Sequence, residues 1–456
     1  MLARYQYPNP LDLLFFAGEQ ATRRAGLPGV HVHIHMELGG TLDVAGLRRA
    51  LLDLYRVYPA IGARRELSLV TGRPRWRLDV PAADPRRIVR VHTLSPATTA
   101  QMQHAAETLL ATPLDAANLP PVQFHVFRGL PTGDVLVMRW PHALMDGRGA
   151  FTILEELDRL YVERPERATL HTAGDEDRDD FNQMLQRYTP LERVKMLREL
   201  RQNTAKTGPV IHLSQAPIPA RGGRLRHVLR TLTPQETAQV DETCRRVSGT
   251  PLSGDFLRAC ALGALHEVLR RPVPADAVYT TNSLLDNRRR QGPAVCWNLT
   301  SALPIVVPAA MVEDCQATTA LIHRQMIAHV RARSAHRYYA AFALLLRAPT
   351  AYVGALLKTN MRSSKPAAKG MGLAQTPSLR LDFIGPFTRP LPTFCGTPLI
   401  NHYGYSTLLP QPGFALHVNL TRERLNVSGV CMEERVPATL LAELIERMGA
   451  RLLARE

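Results

Sequence analysis

Residues 135–149, VLVMRWPHALMDGRG, decide the fold. The first six of them are almost continuously apolar or aromatic, which is typical of a strand buried on both faces. Pro141 lacks the amide donor that a strand needs, so we expect the strand to end there and to place His142 at its end. Gly147 can take the positive φ of a turn before the next helix. The stretch therefore predicts a strand, a turn and a helix, with a histidine at the turn.

His142 and Asp146 form the pattern HxxxDG. A histidine titrates near neutral pH, so one that is held at the end of a rigid strand is suited to general base catalysis. The motif alone is weak evidence, because a surface turn with an incidental histidine has the same pattern.

Strands and helices alternate on both sides of this stretch. In residues 44–54, apolar side chains recur at spacings of three and four, which predicts a helix with one buried face. Both halves of the chain mix the two kinds of element, so the sequence predicts a mixed α/β fold. The predicted strands are 30–38, 66–71, 75–78, 122–128, 135–140, 224–232, 278–284, 301–307, 379–383, 413–420 and 424–431. The other predicted helices are 97–111, 149–161, 234–247, 252–270, 314–332 and 437–453.

The chain has 456 residues, with 56 Lys and Arg against 40 Asp and Glu, and a net charge of +16. A hydrophobic fraction of 45% and a charged fraction of 21% are typical of a folded protein and exclude a disordered or collagen-like one. The charge could attract nucleic acid, an anionic membrane, a phosphorylated cofactor or an acidic protein. Aromatic residues are only 6% and do not lie among basic clusters, so we do not expect nucleic-acid binding.

Six cysteines are scattered without close pairs, so we expect them to be reduced and mostly buried. The N-terminus lacks the pattern of a signal peptide. The longest apolar stretch, 338–357, is interrupted by Arg347 and Pro349 and is too short to span a membrane. These features predict a cytoplasmic protein without a membrane span.

The composition changes after residue 163, where the acidic run GDEDRDD at 174–180 precedes two polar helical stretches. Such a segment is typical of a surface connector. We therefore predict an N-terminal half at 1–165, a connector at 166–209 and a C-terminal half at 210–456.

Five further stretches accompany the HxxxDG motif. With them, the chain resembles the superfamily of condensation domains and coenzyme A-dependent acyltransferases, which includes chloramphenicol acetyltransferase and the wax-ester acyltransferases and carries HHxxxDG between a strand and a helix. The resemblance extends over nearly the whole chain. It implies two chloramphenicol acetyltransferase-like mixed-sheet halves in a V-shaped arrangement, with a tunnel between them. The stretches are TLDVAGLRRALLDLYRVYPAIGARR (41–65), LDAANLPPVQFHVFRG (114–129), NSLLDNRRR (282–290), AVCWNLTSALPIVV (294–307) and LDFIGPF (381–387).

The resemblance also implies roles for single residues. The second histidine of HHxxxDG, here His142, faces the tunnel and removes the proton of the incoming hydroxyl or amine as that group attacks a thioester. The aspartate, here Asp146, points away from the substrate and pairs with an arginine of the second half, either Arg288 or Arg289. We expect this pair and Gly147 to be structural, and removing one partner of such a buried pair costs about 3–5 kcal/mol.

The chain departs from the family pattern in two places. Pro141 replaces the first histidine, and Phe383, preceded by Asp382, replaces the asparagine of the SNxG segment. We expect Asp382 and Phe383, which belong to the second half, to lie near the tunnel. Stabilising the oxyanion of the reaction needs donors about 2.7–3.1 Å away. Backbone amides, Thr300 and Ser301 are the candidates for this role.

Other signals are weaker. His31, His33 and His35 alternate, so they share one face of a strand and could bind a metal. Only Glu37 lies nearby to complete the ligands, and the family uses no metal, so we expect no metal and prefer an incidental or pocket-lining role.

The basic loop at 358–369 is interpreted as solvated, with contact to a phosphate of coenzyme A or of a phosphopantetheine arm as its alternative.

The leading hypothesis is a free-standing acyltransferase that moves an acyl group from a thioester to the hydroxyl or amine of a small molecule. The donor is acyl-CoA or a phosphopantetheinyl thioester on an acidic carrier protein, and no permanently bound cofactor is expected. One alternative is a condensation domain of nonribosomal peptide or polyketide assembly that acts only on carrier-bound donors. Another is a non-catalytic homologue that docks a carrier protein.

Overall fold

The computed structural model describes residues 4–69, 71–78, 84–95, 98–165, 185–205, 208–214, 216, 222–288, 295–345, 348, 352–355, 377–406, 408 and 412–454. The acidic run at 174–180, Arg289 and the basic loop at 358–369 lie outside the described residues.

The strands are β1 Tyr5–Gln6, β2 His31–Leu38, β3 Arg64–Leu67, β4 Pro74–Arg77, β5 Val89–Thr93, β6 Gln123–Arg128, β7 Val135–Pro141, β8 Leu225–Thr231, β9 Val278–Asp286, β10 Thr300–Pro308, β11 Leu381–Phe383, β12 Thr393–Phe394, β13 Thr397–Ser406, β14 Phe414–Thr421 and β15 Arg424–Met432. The helices are α1 Pro10–Arg24, α2 Val44–Val57, α3 Pro85–Ile88, α4 Thr99–Ala111, α5 Gly147–Glu163, α6 Pro190–Ala205, α7 Pro234–Ser248, α8 Gly254–Glu267, α9 Cys315–Arg331, α10 Ser334–Leu345 and α11 Ala438–Leu453.

Two larger sheets organise the chain. The first has the order β12-β13-β2-β7-β6-β5 and the second the order β11-β14-β15-β8. Each sheet has one parallel pair, β5 with β6 and β11 with β14, and is otherwise antiparallel. The predicted mixed α/β class is therefore confirmed.

Strand β13 joins the two sheets. On one edge it pairs antiparallel with β2, with Leu399 opposite Leu38. On its other side, the Gly404 amide donates to Oδ1 of Asn419 on β14 at 3.0 Å. The Gly404 carbonyl accepts from Oγ of Ser428 on β15 at 2.6 Å. A strand of the predicted C-terminal half thus completes the sheet of the N-terminal half, so the predicted boundary at 166–209 does not divide the sheets.

Each large sheet has its own apolar core. In α2, the buried residues Leu47, Leu51 and Leu54 follow the predicted spacing and pack in the core beside the first sheet. In α8, every residue from 256 to 265 is buried, which agrees with the broad apolar face of its sequence. Burying a leucine or phenylalanine side chain contributes about 1.5–3 kcal/mol, so these two helices anchor their halves.

Helix α1 was not among the predicted elements. It begins with a capping box, in which Oδ1 of Asn9 accepts from the Asp12 amide and the Asp12 carboxylate accepts from the Asn9 amide, both at 2.8 Å. Pro10 occupies the first turn, where a missing amide costs nothing. The helix places Phe15 beside the strand end that carries His142.

The cysteine prediction is confirmed, because all six cysteines are free and buried. Among the helices of the described ranges, none combines the length and the apolar character that crossing a membrane requires.

Candidate functional site

Both halves of the chain fix the backbone of His142, which directly follows β7. Its amide donates to the Val30 carbonyl at 3.0 Å. Its carbonyl accepts from Nδ2 of Asn298 at 2.8 Å, and the same Nδ2 donates to Oδ1 of Asp12 at 2.9 Å. Asn298 is fully buried and lies just before β10. The position of the imidazole is therefore set by the first sheet, by α1 and by the C-terminal half together.

The ring of His142 has one closed side and one open side. It stacks on Phe15 with ring centroids 3.7 Å apart and an interplanar angle of 15°. Nδ1 is buried and has no hydrogen-bond partner on another of the described residues. The residue as a whole is partly exposed, and Nε2, unlike Nδ1, is not among the enclosed, unpartnered atoms of the described residues.

The surroundings of His142 favour the neutral ring. Burial, followed by the charge of Arg380, lowers its pKa from 6.5 to about 4, although the charges of Asp146 and Asp382 act in the opposite direction. At neutral pH the imidazole is uncharged, so its accessible nitrogen can accept a proton.

The Asp146 carboxylate is saturated with donors. Oδ1 accepts from Nη2 of Arg288 at 2.7 Å and from the Gly149 amide at 2.8 Å, which caps α5. Oδ2 accepts from Nη1 of Arg288 at 3.2 Å, from the Leu299 amide at 2.9 Å, and from the amide and hydroxyl of Thr300 at 3.0 and 2.8 Å. Burial alone would raise the pKa of Asp146, but the charge of Arg288 holds it below its usual value. The carboxylate ties the start of α5 to the C-terminal half.

Gly147 does not take the positive φ that its sequence suggested. A Cβ at this position would lie 2.2 Å from Cδ1 of Ile384, and one at Gly149 would lie 2.1 Å from the Cys296 carbonyl oxygen. The C-terminal half therefore packs closely on the start of α5, and the backbone contact makes glycine necessary at position 149, whereas the Ile384 side chain near Gly147 can shift.

Thr300 and Ser301 belong to the network around Asp146. Thr300 gives both its amide and its hydroxyl to that carboxylate, so it has no free donor for an oxyanion. Ser301 is buried, and its Oγ accepts from Nδ2 of Asn287 at 2.6 Å.

Asp382 and Phe383 lie on β11 and face different surroundings. Oδ2 of Asp382 is 2.9 Å from Nη2 of Arg380 and 3.5 Å from Nδ1 of His417. Burial alone would raise the pKa of Asp382, but the charges of Arg380 and His417 lower it below its usual value. Phe383 lines an open pocket of about 510 Å³.

Residues 9–252, more than half of the chain, match the family model of the wax ester synthase/diacylglycerol acyltransferase catalytic domain. The chain belongs to this family. It is an acyltransferase. No curated protein sequence matches it.

Solved structures with the same fold include two condensation domains and one epimerization domain. The first condensation domain of the CDA synthetase is 16% identical, with a TM-score of 0.68 over 99% of this chain and 96% of that one. The starter condensation domain of rhizomide synthetase in complex with C8-CoA is 15% identical, with a TM-score of 0.66 over 99% and 95%. The epimerization domain from the third module of tyrocidine synthetase B is 15% identical, with a TM-score of 0.63 over 99% and 96%. The likeness confirms the predicted fold class.

This acyltransferase also carries a row of buried histidines on β2. His31 and His33 stack at 5.0 Å between ring centroids, and His33 and His35 at 6.2 Å. Both ring nitrogens of His33 and His35 are buried and find no hydrogen-bond partner in the part of the chain that the structure describes. Within the described ranges, no group of three or more histidine, cysteine or acidic side chains is arranged to hold a metal ion.

Sequence reasoning assigned no role to two residues of the site, Phe15 and Asn298. The capping box and proline at the start of α1 are a sequence signal that would have predicted the helix carrying Phe15. Asn298 lay inside the stretch 294–307, but nothing in the sequence showed that it bonds to the His142 carbonyl.

Proposed function

We propose that this acyltransferase moves an acyl group from a thioester to the hydroxyl or amine of a small acceptor, with His142 as the general base. The observation that carries the proposal is a neutral imidazole with one accessible nitrogen, whose backbone is held by both halves of the chain. Family membership supplies the acyl-transfer chemistry.

The proposed reaction needs one proton carrier. Nε2 of His142 accepts the proton of the acceptor hydroxyl or amine as its oxygen or nitrogen attacks the thioester carbonyl carbon. The new C–O or C–N bond forms, the C–S bond breaks, and the proton passes from Nε2 to the departing sulfur. No enzyme residue is acylated in this direct attack. Asp146 supports the geometry, because its donors hold the loop between β7 and α5.

Acyl-CoA is the donor we favour. The rhizomide synthetase domain with the same fold binds C8-CoA, and a net charge of +16 suits a phosphate-bearing donor. The same charge would also suit an acidic carrier protein, which is the donor in the condensation-domain alternative.

The test is turnover by the purified full-length chain. Acyl-CoA donors of several lengths are mixed with small alcohols and amines, and we expect release of free thiol and an ester or amide product by mass spectrometry. The variant His142→Ala should lose this turnover, while His104→Ala, which removes an exposed histidine of α4, should keep it. A folded His142→Ala protein that works at the wild-type rate would overturn the base assignment.

A second arm identifies the donor. Acyl-CoA and an acyl-carrier protein with the same acyl group are compared at low and high salt. Turnover from acyl-CoA supports the free-standing enzyme. Turnover only from the carrier, with a rate that falls as salt screens the charges, would support the condensation-domain alternative.

A further inference from the structure

An open pocket of about 510 Å³ lies in the C-terminal half, where the start of α8, strand β9, helix α9 and the end of β11 meet. Its volume is in the range of small-ligand pockets. One wall is apolar, and two of its members, Ile327 and Val330, are 37% and 51% exposed. Exposed apolar side chains along a concave surface indicate a ligand with an apolar part. The wall consists of Leu284, Met326, Ile327, Val330 and Phe383.

A buried arginine also lines this pocket. Arg258 is 2% exposed, and its Nε donates to the Asn282 carbonyl at 2.8 Å, which fixes the guanidinium. Across the described ranges, Nη1 and Nη2 of Arg258 have no hydrogen-bond or salt-bridge partner. A largely buried guanidinium that is fixed through Nε and leaves both Nη atoms unbonded at the pocket can offer them to an anion from outside the chain.

Gly254 makes room for the guanidinium. It is the first residue of α8, and a Cβ there would lie 2.5 Å from Nη1 of Arg258. The amides at the start of the helix add a partial positive charge on the same side of the pocket.

The other charged residues of the pocket do not neutralise Arg258 by contact. Oδ2 of Asp255 lies 3.1 Å from Nδ1 of His323, so this carboxylate is engaged at the rim. Arg331 is exposed at the rim and adds a second cation. The pocket therefore combines a buried cation, a rim that carries both a carboxylate and a guanidinium, and an apolar wall.

The pocket and the proposed base have one carboxylate in common among their neighbouring charges. Phe383 lines the pocket, and Asp382 precedes it on β11. The charge of Asp382 acts both on Arg258 and on His142.

We propose that this pocket binds the anionic end of a substrate, a carboxylate or phosphate on an apolar stem, through the guanidinium of Arg258. Both anions accept two parallel bonds from the planar guanidinium. The inference rests on the proposed function, because the ligand is then one of its two substrates. The anion is either a carboxylate of the acceptor or the phosphate of the donor's pantetheine arm.

The test measures binding without turnover, by calorimetry on the full chain. The probes are hexanoate with neutral hexanamide, and phosphopantetheine with neutral pantetheine. We expect at least one anion to bind the wild type more tightly than its neutral partner. Arg258→Gln should weaken that anion roughly 10- to 100-fold, since a bond to a charged group is lost. If Arg258→Gln fails to fold, Gly254→Ala tests the same contact. This substitution displaces the guanidinium but keeps its charge, and it should also weaken binding of that anion.

Arg324→Gln is the matched control, because it removes an exposed arginine of α9 outside the pocket lining and should leave the affinity unchanged. If the Arg258→Gln or Gly254→Ala variant loses affinity only for hexanoate, the site belongs to the acceptor. If it loses affinity only for phosphopantetheine, the site belongs to the donor. Wild-type affinity for both anions in folded Arg258→Gln or Gly254→Ala would overturn the proposal, as would no binding of either anion to the wild type. His142→Ala should bind the anions normally, so failure of the base assignment leaves this result intact.

Discussion

His142, which is partly exposed, and the fully buried histidines of β2 all have lowered pKa values, but their ring nitrogens meet different surroundings. Burial, and next the charge of His227, lowers the pKa of His35 to about 3, and burial and Arg380 lower that of His142 to about 4. Among the described residues, His35 has both nitrogens enclosed without partners, whereas for His142 this holds only for Nδ1.

The comparison shows that a lowered pKa does not by itself identify a functional histidine. Burial gives both rings the neutral form, but only His142 combines that form with an accessible nitrogen and a backbone fixed by both halves. The histidines of β2 instead fill a sheet face, where each acts as a polar but uncharged core residue.

The largest expected effect is on turnover, and it differs between the rings of His142 and His35. His142→Ala should lower turnover by about 100- to 10,000-fold, the usual contribution of a general base. His35→Phe should leave turnover within about twofold, because both of its ring nitrogens are enclosed in the core. Steady-state rates with the same acyl-CoA and acceptor check both expectations, and a comparable loss in His35→Phe would remove the distinction.

The next largest effect is on the free energy of unfolding, and it concerns the buried pair of Asp146 and Arg288. Arg288→Met should lower the free energy of unfolding by about 3–5 kcal/mol, because it leaves the buried Asp146 charge without its partner. Arg245→Met removes the exposed pair with Asp241 on α7 and should cost less than about 1 kcal/mol. Urea unfolding of both variants gives the two values, and equal costs would contradict the role assigned to the buried pair.

A smaller effect concerns the β2 histidines at acid pH. Unfolded histidine binds a proton below about pH 6.5, whereas folded His35 does so only near pH 3, so the wild type loses stability as pH falls between these values. His35→Phe lacks this loss. Relative to the wild type, it should therefore gain about 2 kcal/mol between pH 8 and pH 5. Urea unfolding at both pH values measures the gain, and a constant difference would contradict it.

The smallest effect is in the pH profile of the enzyme. With a pKa of about 4, His142 remains neutral at pH 5.5, so kcat/KM should change less than about twofold between pH 7.5 and pH 5.5. A base with the ordinary value of about 6.5 would lose roughly tenfold over this range. A tenfold fall, with circular dichroism showing an intact fold, would mean that His142 lies in a more solvated environment than the structure shows.

Helices α2 and α5 were predictable from periodicity, because each buries one face. Strand β7 was predictable as a nearly continuous apolar run, because both of its faces are buried. Strand β13 was not predictable, because 401–406 is buried throughout, contacts polar side chains of β14 and β15, and carries a mixture of polar and aromatic residues. Short strands such as β5 carry too few residues for a periodic signal.

The motif of the candidate site was predictable from the sequence, but the residues that hold the motif in place were not. His142, Asp146 and Arg288 were reached through the HxxxDG pattern and the family resemblance, and the structure brings the last two together. Phe15, Asn298 and Arg258 depend on contacts between residues far apart in sequence, which a single sequence does not encode locally. Thr300 was assigned to an oxyanion because its contact with Asp146 was not visible in the sequence.

The place of β13 in the first sheet also has a consequence for synthesis of the chain. Leu38 pairs with Leu399, so β2 has an unpaired edge until nearly the whole chain has left the ribosome. Contacts this distant in sequence slow folding, and an open strand edge during that delay is a template for aggregation. Low expression temperature or a chaperone that shields strand edges should therefore raise the soluble yield of the full chain, and the fragment 1–165 should aggregate when expressed alone.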